Sequence, residues 1–310
     1  MIRNKINKVL AQYIYKYSEE RIEDRFLLGK IMLEAKRNIW DKMAFEPQTW
    51  DEFGFGVFSQ SNEDGLIQYM INKINIPNKT FIEFGVQNYT ECNTRFLLMN
   101  NYWSGLIMDG SEDNMKQLRN SSLYWKHSIQ ARDVFITKEN INQLISDWNE
   151  AGNKDVGILS IDIDGVDYWV WESIDCIEPY IVICEFNPIF GSEAIVTIPY
   201  QADFYRTKAH YSNLYWGASL NAYVSLAKRK GYKLVCLNQM GNNAFFVREE
   251  EQGMKEVSIQ EAYRGLRYRD SRNQGGGLTY LSKKEGLRLI GDELVIDLQD
   301  GQTKHIRDCI

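Results

Sequence analysis

The chain reads as an α/β fold: a Rossmann-like, seven-stranded, mostly parallel sheet with an antiparallel terminal hairpin, plus a helical N-terminal extension and a small C-terminal one. Three observations predict it. Beyond Pro77, short apolar runs alternate with helical windows, the rhythm of βαβ units in a parallel sheet. Seven such runs follow one another, enough for a complete sheet of this kind. The last two are separated only by residues 239–243, too few for a helical crossover, so they must pair as an antiparallel hairpin.

From about residue 5 to 42, apolar positions such as Ile6, Leu10, Ile14 and Tyr17 recur three to four apart with charges between them, which predicts helix. Such a stripe most often buries a face on its own domain; the other outcome is a homodimer contact through the N-terminal helices. Residues 46–62, with Pro47, Gly54 and Gly56 among aromatics, break the period and form a loop. Strands are expected at 80–85, 105–109, 127–131, 156–162, 181–185, 233–238 and 244–248. After residue 250 the chain turns polar, passes through Gly275-Gly276-Gly277 and ends in an aliphatic piece at about 287–297, read as a small β appendage. The expected division is an N-terminal extension (1–54), a central domain (55–250) and the appendage (251–310).

The 310 residues carry 36 Lys and Arg against 42 Asp and Glu, a net charge of −6 that argues against a nucleic-acid partner and favours a small-molecule or glycan-type one. With 44% hydrophobic and 13% aromatic residues the chain can bury a full core. Cys92, Cys176, Cys184, Cys236 and Cys309 form no CxxC pair and have mostly apolar neighbours, so they read as reduced core residues. Residues 1–30 interleave charge with apolar groups, which predicts neither a leader h-region nor a membrane span; a cytoplasmic protein is expected.

The strongest motif is the apolar run Phe81-Ile82-Glu83-Phe84 ending in Gly85, followed by Val86-Gln87-Asn88-Tyr89-Thr90 and a helical window. The next run ends in Asp109-Gly110-Ser111, and Asp109 follows Gly85 by 24 residues, one βα unit, where a carboxylate can accept both hydroxyls of a ribose. A dinucleotide fingerprint would need further glycines where Gln87 and residues 88–90 stand, so no pyrophosphate site is expected. Glu83, just before the glycine, suits a ligand with a positive ammonium group near the turn, which describes S-adenosylmethionine. Taken alone, Gly85 also fits an ordinary strand-to-helix turn, and Asp109 a helix N-cap.

At these residues the chain resembles the class I S-adenosylmethionine-dependent methyltransferases, in particular the FkbM-like branch associated with bacterial surface and capsular polysaccharide. The likeness spans roughly 55–250 and is carried by Ser59–Gly65, Glu83-Phe84-Gly85-Val86-Gln87, Gly105–Ser111, Ser160-Ile161-Asp162-Ile163-Asp164-Gly165, Trp216–Leu220 and Asn242–Val247. It implies that Glu83, Gly85 and Asp109 hold the cofactor. Gln87, Asn88, Gly110, Ser111 and Asp162 complete the expected cofactor set, with Asp133 or Arg132 toward the adenine. The last two read equally as a surface ion pair.

Asp162 and Asp164 end one strand and Glu185 the next, so three carboxylates converge at the carboxyl edge of the sheet. Mg²⁺ or Mn²⁺ would offset their repulsion, with Asp164 and Glu185 as ligands, and some class I O-methyltransferases that this chain resembles place metal ligands here. A raised pKa, making Asp162 or Asp164 a general base, is the alternative. A third outcome is that Asp164 and Asp167 simply cap the helix beginning near Tyr168. Residues 186–216 are rich in aromatics, from Phe190 to Trp216, and read as a lid shaping the acceptor pocket, with His210 as base or metal ligand. His127 and His305 read as structural. Glu63-Asp64-Gly65 reads as a helix N-terminus or a turn reaching the crevice.

The implied activity is methyl transfer from S-adenosylmethionine to a hydroxyl or similar polar group of a small-molecule or nucleotide-linked acceptor, extending to sugar or phosphoramidate groups of a capsule. Two other readings stand beside it. Asp162-Ile163-Asp164 could be the DxD element of a metal-dependent nucleotide-sugar glycosyltransferase, or the chain could be a catalytically silent scaffold with this fold.

Overall fold

Each of the seven apolar runs becomes a strand of one sheet. In chain order the strands are β1 (Thr80–Phe84), β2 (Ser104–Asp109), β3 (Ile129–Asp133), β4 (Asp155–Ile161), β5 (Glu178–Glu185), β6 (Val196–Thr197), β7 (Tyr232–Leu237), β8 (Asn243–Arg248), β9 (Leu294–Asp297) and β10 (Gln302–His305). The computed structural model describes residues 2–149, 152–267 and 269–310, with side chains outside the description for residues 2–20. The main sheet has the order β3-β2-β1-β4-β5-β8-β7. Its first five strands are parallel, and β8 runs against both β5 and β7, so the terminal hairpin is antiparallel as its short connection requires.

Near-continuous apolar runs suit these strands because helices cover both faces, and β1, β2 and β4 are buried along almost their whole length. The chain lays β1, β2 and β3 outward in one direction, then crosses back to place β4 on the other side of β1. The carboxyl ends of β1 and β4 therefore flank the topological switch point, where open α/β sheets form their ligand crevice.

One strand lies two residues later than its expected position. The helix Ser122–Lys126 takes His127 as its C-cap, with the His127 N–H donating to the Leu123 carbonyl at 3.1 Å, so β3 begins at Ile129 and includes Arg132 and Asp133.

The N-terminal helical stretch is one helix, Ile2–Trp40. From residue 21 onward its inner face packs on its own domain. Leu33 and Trp40 are buried, Trp40 Nε1 donates to the Phe53 carbonyl at 3.3 Å, and Arg25 Nε donates to the Val57 carbonyl at 2.6 Å. The stripe of Ile6, Leu10, Ile14 and Tyr17 lies outside the described side chains. Near the other end of the chain, β9 and β10 form a hairpin that β6 joins from the 186–216 connection. Among the described residues no helix is long and apolar enough to cross a membrane.

The loop before the helix Glu63–Lys73 is folded around one carboxylate. Asp64 Oδ2 accepts the backbone N–H groups of Val57 and Phe58 at 2.7 Å and of Ser59 at 3.1 Å, while its own N–H donates to Ser59 Oγ. Burial pushes the Asp64 carboxyl up to about 6, against those donors. Because the folded value lies above the unfolded one, the ionised form weighs against the fold. Its contribution is most favourable below the ordinary value of 3.8 and is lost as pH rises through about 6. Urea unfolding checks this. Asp64→Ala should lose about 3 kcal/mol by stranding three donors. Asp64→Asn should stay close to wild type in acid and gain on it by up to about 3 kcal/mol toward pH 7.5; a difference that does not change with pH would refute the assignment.

Candidate active site

The switch point is closed by a contact that only glycine allows. Gly85 has φ +71°, and a β-carbon there would lie 1.5 Å from the Asp162 carbonyl oxygen. The loop that follows keeps to left-handed backbone without further glycines, at Gln87 (φ 49°) and Tyr89 (φ 62°). Two carboxylates hold it there. Asp109 Oδ2 accepts the Gln87 N–H at 2.7 Å, and Asp109 Oδ1 accepts the Ser111 N–H at 2.9 Å. Glu83 accepts the Asn93 N–H at 2.7 Å, the Thr94 N–H at 3.0 Å and a short bond from the Thr94 hydroxyl. Burial pushes the Glu83 carboxyl up to about 7.

Glu83 and Asp109 thus both shape the loop with each of their oxygens, and both also form part of a cavity wall, Glu83 in the first cavity and Asp109 in the second.

Two cavities open on either side of this junction and share Gly85, Gln87, Asp162, Asp164 and Arg206 in their walls. The first, about 430 Å³, is polar. Carboxylates and amides line it, among them Asn88, Asn93, Glu185, Asn242 and Asp270. The second, about 600 Å³, runs past Asp109, Gly110 and Ser111 to Phe135 and Tyr205, whose rings stand 5.6 Å apart at 31°.

Asp162, Asp164 and Glu185 do converge: each offers an oxygen, and these lie within 4.8 Å of one another. The turn that presents them is tied by Asp167, which accepts the N–H groups of Ile163 and Gly165, each at 2.8 Å. Asp164 itself sits in left-handed backbone with φ 56°. Glu185 Oε1 accepts Asn242 Nδ2 at 3.0 Å, whereas its Oε2 is buried without a partner. Burial, with Asp164 second, raises the Glu185 pKa, which Arg206 opposes; burial, with Glu185 second, raises that of Asp162.

One cation faces the cluster. Arg206 Nη1 pairs with Asp164 Oδ1 at 2.7 Å, Nη2 pairs with Asp270 Oδ2 at 2.6 Å, and Nε donates to the Asn213 carbonyl at 2.9 Å. Its guanidinium lies 4.5 Å over the Trp216 ring. Neither Arg206 nor Asp270 stood out in the sequence, since nothing near either residue signals a partner 42 or 64 positions away.

Other expected residues lie elsewhere. Asp133 pairs with Arg119 at 2.8 Å and Arg132 donates to the Leu144 carbonyl at 3.0 Å, so neither reaches the second cavity, whose wall continues with Val134 and Phe135. The two-residue offset of β3 is the reason. His210 lines neither cavity: its Nδ1 meets Ser212 Oγ at 2.7 Å and its ring stacks on Tyr211.

The 186–216 connection is also less of a lid than expected. Asn187 Nδ2 donates to the carbonyls of Leu214 and Trp216, each at 3.0 Å, and pins its two ends together. Phe190 and Trp216 are buried in packing, Tyr200 bonds Glu139, and Phe204 and Tyr205 reach the cavity beside Asp109. Glu63 and Asp64 do not reach the crevice either. Asp64 folds its own loop, and Glu63 Oε1 accepts Asn238 Nδ2 at 2.6 Å and Asn243 Nδ2 at 2.9 Å.

No family model and no curated protein matches the chain. Solved structures resemble it in backbone. The N-terminal domain of EvdMO1 with SAH bound has a TM-score of 0.38 at 9% identity, covering 69% of this chain and 94% of that one. The pyocyanin biosynthetic protein PhzM has 0.36 at 11%, covering 59% and 54%. An O-methyltransferase family protein from Burkholderia thailandensis has 0.34 at 10%, covering 76% and 72%. Likeness at this level carries no argument about chemistry; the fold rests on the strand order above and the function on the site itself.

Replacing Gly85 by Ala should drive the Asp162 carbonyl out of place. The expected loss is about 2–4 kcal/mol in urea unfolding; an unchanged midpoint would show that the close approach is not needed.

Proposed function

We propose that the chain is a methyltransferase that moves a methyl group from S-adenosylmethionine to a hydroxyl of a polyhydroxylated acceptor. The observation that carries this is the junction at Gly85 and Asp162, where a cavity suited to a nucleoside meets a smaller polar one. In the larger cavity Asp109 suits the ribose hydroxyls, and Phe135 and Tyr205 offer ring faces to a base. In the smaller one carboxylates and amides suit an acceptor rich in hydroxyls, as a sugar is. A nucleotide-linked sugar or a capsular sugar or phosphoramidate group belongs to this class and completes the proposal.

Transfer to oxygen is an in-line displacement. The acceptor oxygen bonds the methyl carbon while the carbon–sulfur bond breaks, its electron pair stays on sulfur, and the acceptor proton leaves. Asp162, half-buried at the junction, is placed to hold that hydroxyl and take the proton, and the acidic wall favours a cationic sulfonium.

Asp162, Asp164 and Glu185 also fit Mg²⁺ or Mn²⁺. They are hard oxygen donors, and the buried, partnerless Oε2 of Glu185 is what such an ion would satisfy. A bound cation would supply Lewis acidity, lowering the pKa of the acceptor hydroxyl.

Calorimetry and thermal shift test both parts. S-adenosylhomocysteine should stabilise the protein, by about 2.7 kcal/mol at a hundredfold excess over Kd. Asp109→Asn should weaken its binding at least about tenfold, while Asp133→Ala leaves it unchanged. Stabilisation by UDP with Mn²⁺, and none by millimolar S-adenosylhomocysteine, would replace this reading with a sugar transferase. Separately, Glu185→Gln should abolish Mn²⁺ binding in electron paramagnetic resonance; retained binding would remove the cation from this site.

A further inference from the structure

We propose that Arg206 is the resident counter-ion of the acidic centre and that a divalent cation competes with it for Asp164. The inference rests on the cation reading of Asp162, Asp164 and Glu185 and adds what governs occupancy of that site. Its basis is the placement of one largely buried, but not enclosed, guanidinium. Arg206 meets Asp164 at 2.7 Å, and its electrostatic neighbours include Glu185 as well as Asp164 and Asp270. It therefore stands on the same carboxylates that a cation would use. The Asp164 oxygen it holds belongs to a group whose oxygens lie within 4.8 Å of the other two.

A guanidinium and a divalent ion a few ångströms apart repel, even with Asp164 itself exposed. The two cannot share Asp164 at full strength. Arg206 has a second anchor to turn to, because Asp270 from the C-terminal region holds Nη2 at 2.6 Å and the Asn213 carbonyl holds Nε at 2.9 Å. Asp270 thus draws the guanidinium away from the centre, and Asp164 draws it in. Binding of the cation releases Nη1 into the space that the two cavities share, where Arg206 forms part of both walls. Arg206 is in this sense a positioning residue, acting on the site through Asp164.

Titration with Mn²⁺ alone, followed by calorimetry and by the paramagnetic resonance of free Mn²⁺, tests this on the full chain. Arg206→Gln should bind Mn²⁺ roughly tenfold or more tightly than wild type. Asp270→Asn, a half-exposed position, should bind it about threefold or more weakly, because the guanidinium then turns wholly onto Asp164. Lys208→Gln removes a nearby charge that rests over the Tyr205 ring at 4.6 Å and should leave affinity within about twofold. Equal or weaker binding by Arg206→Gln would overturn the proposal and make the arginine a scaffold of the site. Equal tightening by Lys208→Gln would also overturn it, since general charge would then account for the effect. If Arg206→Gln does not fold, Asp270→Asn decides alone: unchanged or tighter binding overturns the proposal. No Mn²⁺ binding at millimolar concentration in any of these proteins would instead sink the cation reading, a different result from binding that ignores residue 206.

Discussion

The rest of the site depends on the approach of Gly85 to the Asp162 carbonyl. A β-carbon at residue 85 would fall 1.5 Å from that oxygen, so the loops leaving β1 and β4 touch without a side chain between them. These are the strands that the crossover separates, and their carboxyl ends would otherwise bound an open crevice. Pressed together, they make one shared wall for two cavities of different character, the nucleoside-sized space beside Asp109 and the polar one beside Glu185. Group transfer needs donor and acceptor within contact of each other, and a bulkier residue at 85 would part the two spaces at that point.

Buried carboxylates do the local shaping that glycines or prolines do in other chains. Asp64, Glu83 and Asp167 each gather backbone N–H groups from a loop of their own. Asp162, Asp164 and Glu185 differ from them in kind. They face one another instead of backbone donors, and one of their buried oxygens has no partner at all. Burial alone therefore does not single out the converging acids, since Asp167 is as deeply enclosed as any described residue. Nor does an orphaned oxygen, since Asp64 Oδ1 is also buried without a partner; what separates the two sets is that one faces backbone donors and the other faces further carboxylates.

This difference also explains how far the sequence could be read. Strand periodicity, the short 239–243 link and the spacing from Gly85 to Asp109 are local or nearly local signals, and they placed all seven strands and the acidic cluster. A helix that ran one turn on, to a cap at His127, displaced β3 by two residues and carried Arg132 and Asp133 to other partners. Glu83 was legible as an acid before a glycine, but its engagement by Asn93 and Thr94 depended on how the loop returned. His210 was legible as a residue type with a suitable pKa, yet its neighbours Ser212 and Tyr211 hold it away from both cavities. Arg206 and Asp270 meet across 64 positions, a distance at which no pattern in one sequence speaks.

The terminal hairpin does more than finish the sheet. Its turn carries Asn238, Asn242 and Asn243, and these amides link Glu63, at the start of the helix Glu63–Lys73, to Glu185 at the end of β5. Asn242 fixes one oxygen of Glu185, and the other is buried without a hydrogen-bond partner. Asp164 is fixed from the opposite side, by the guanidinium of Arg206. The two restraints differ physically. An amide donor is neutral and would sit beside a cation without opposing it, whereas a guanidinium carries the same sign and would have to yield. Under the proposed cation reading, Glu185 keeps its restraint when the ion binds, and Asp164 is the carboxylate whose partner changes.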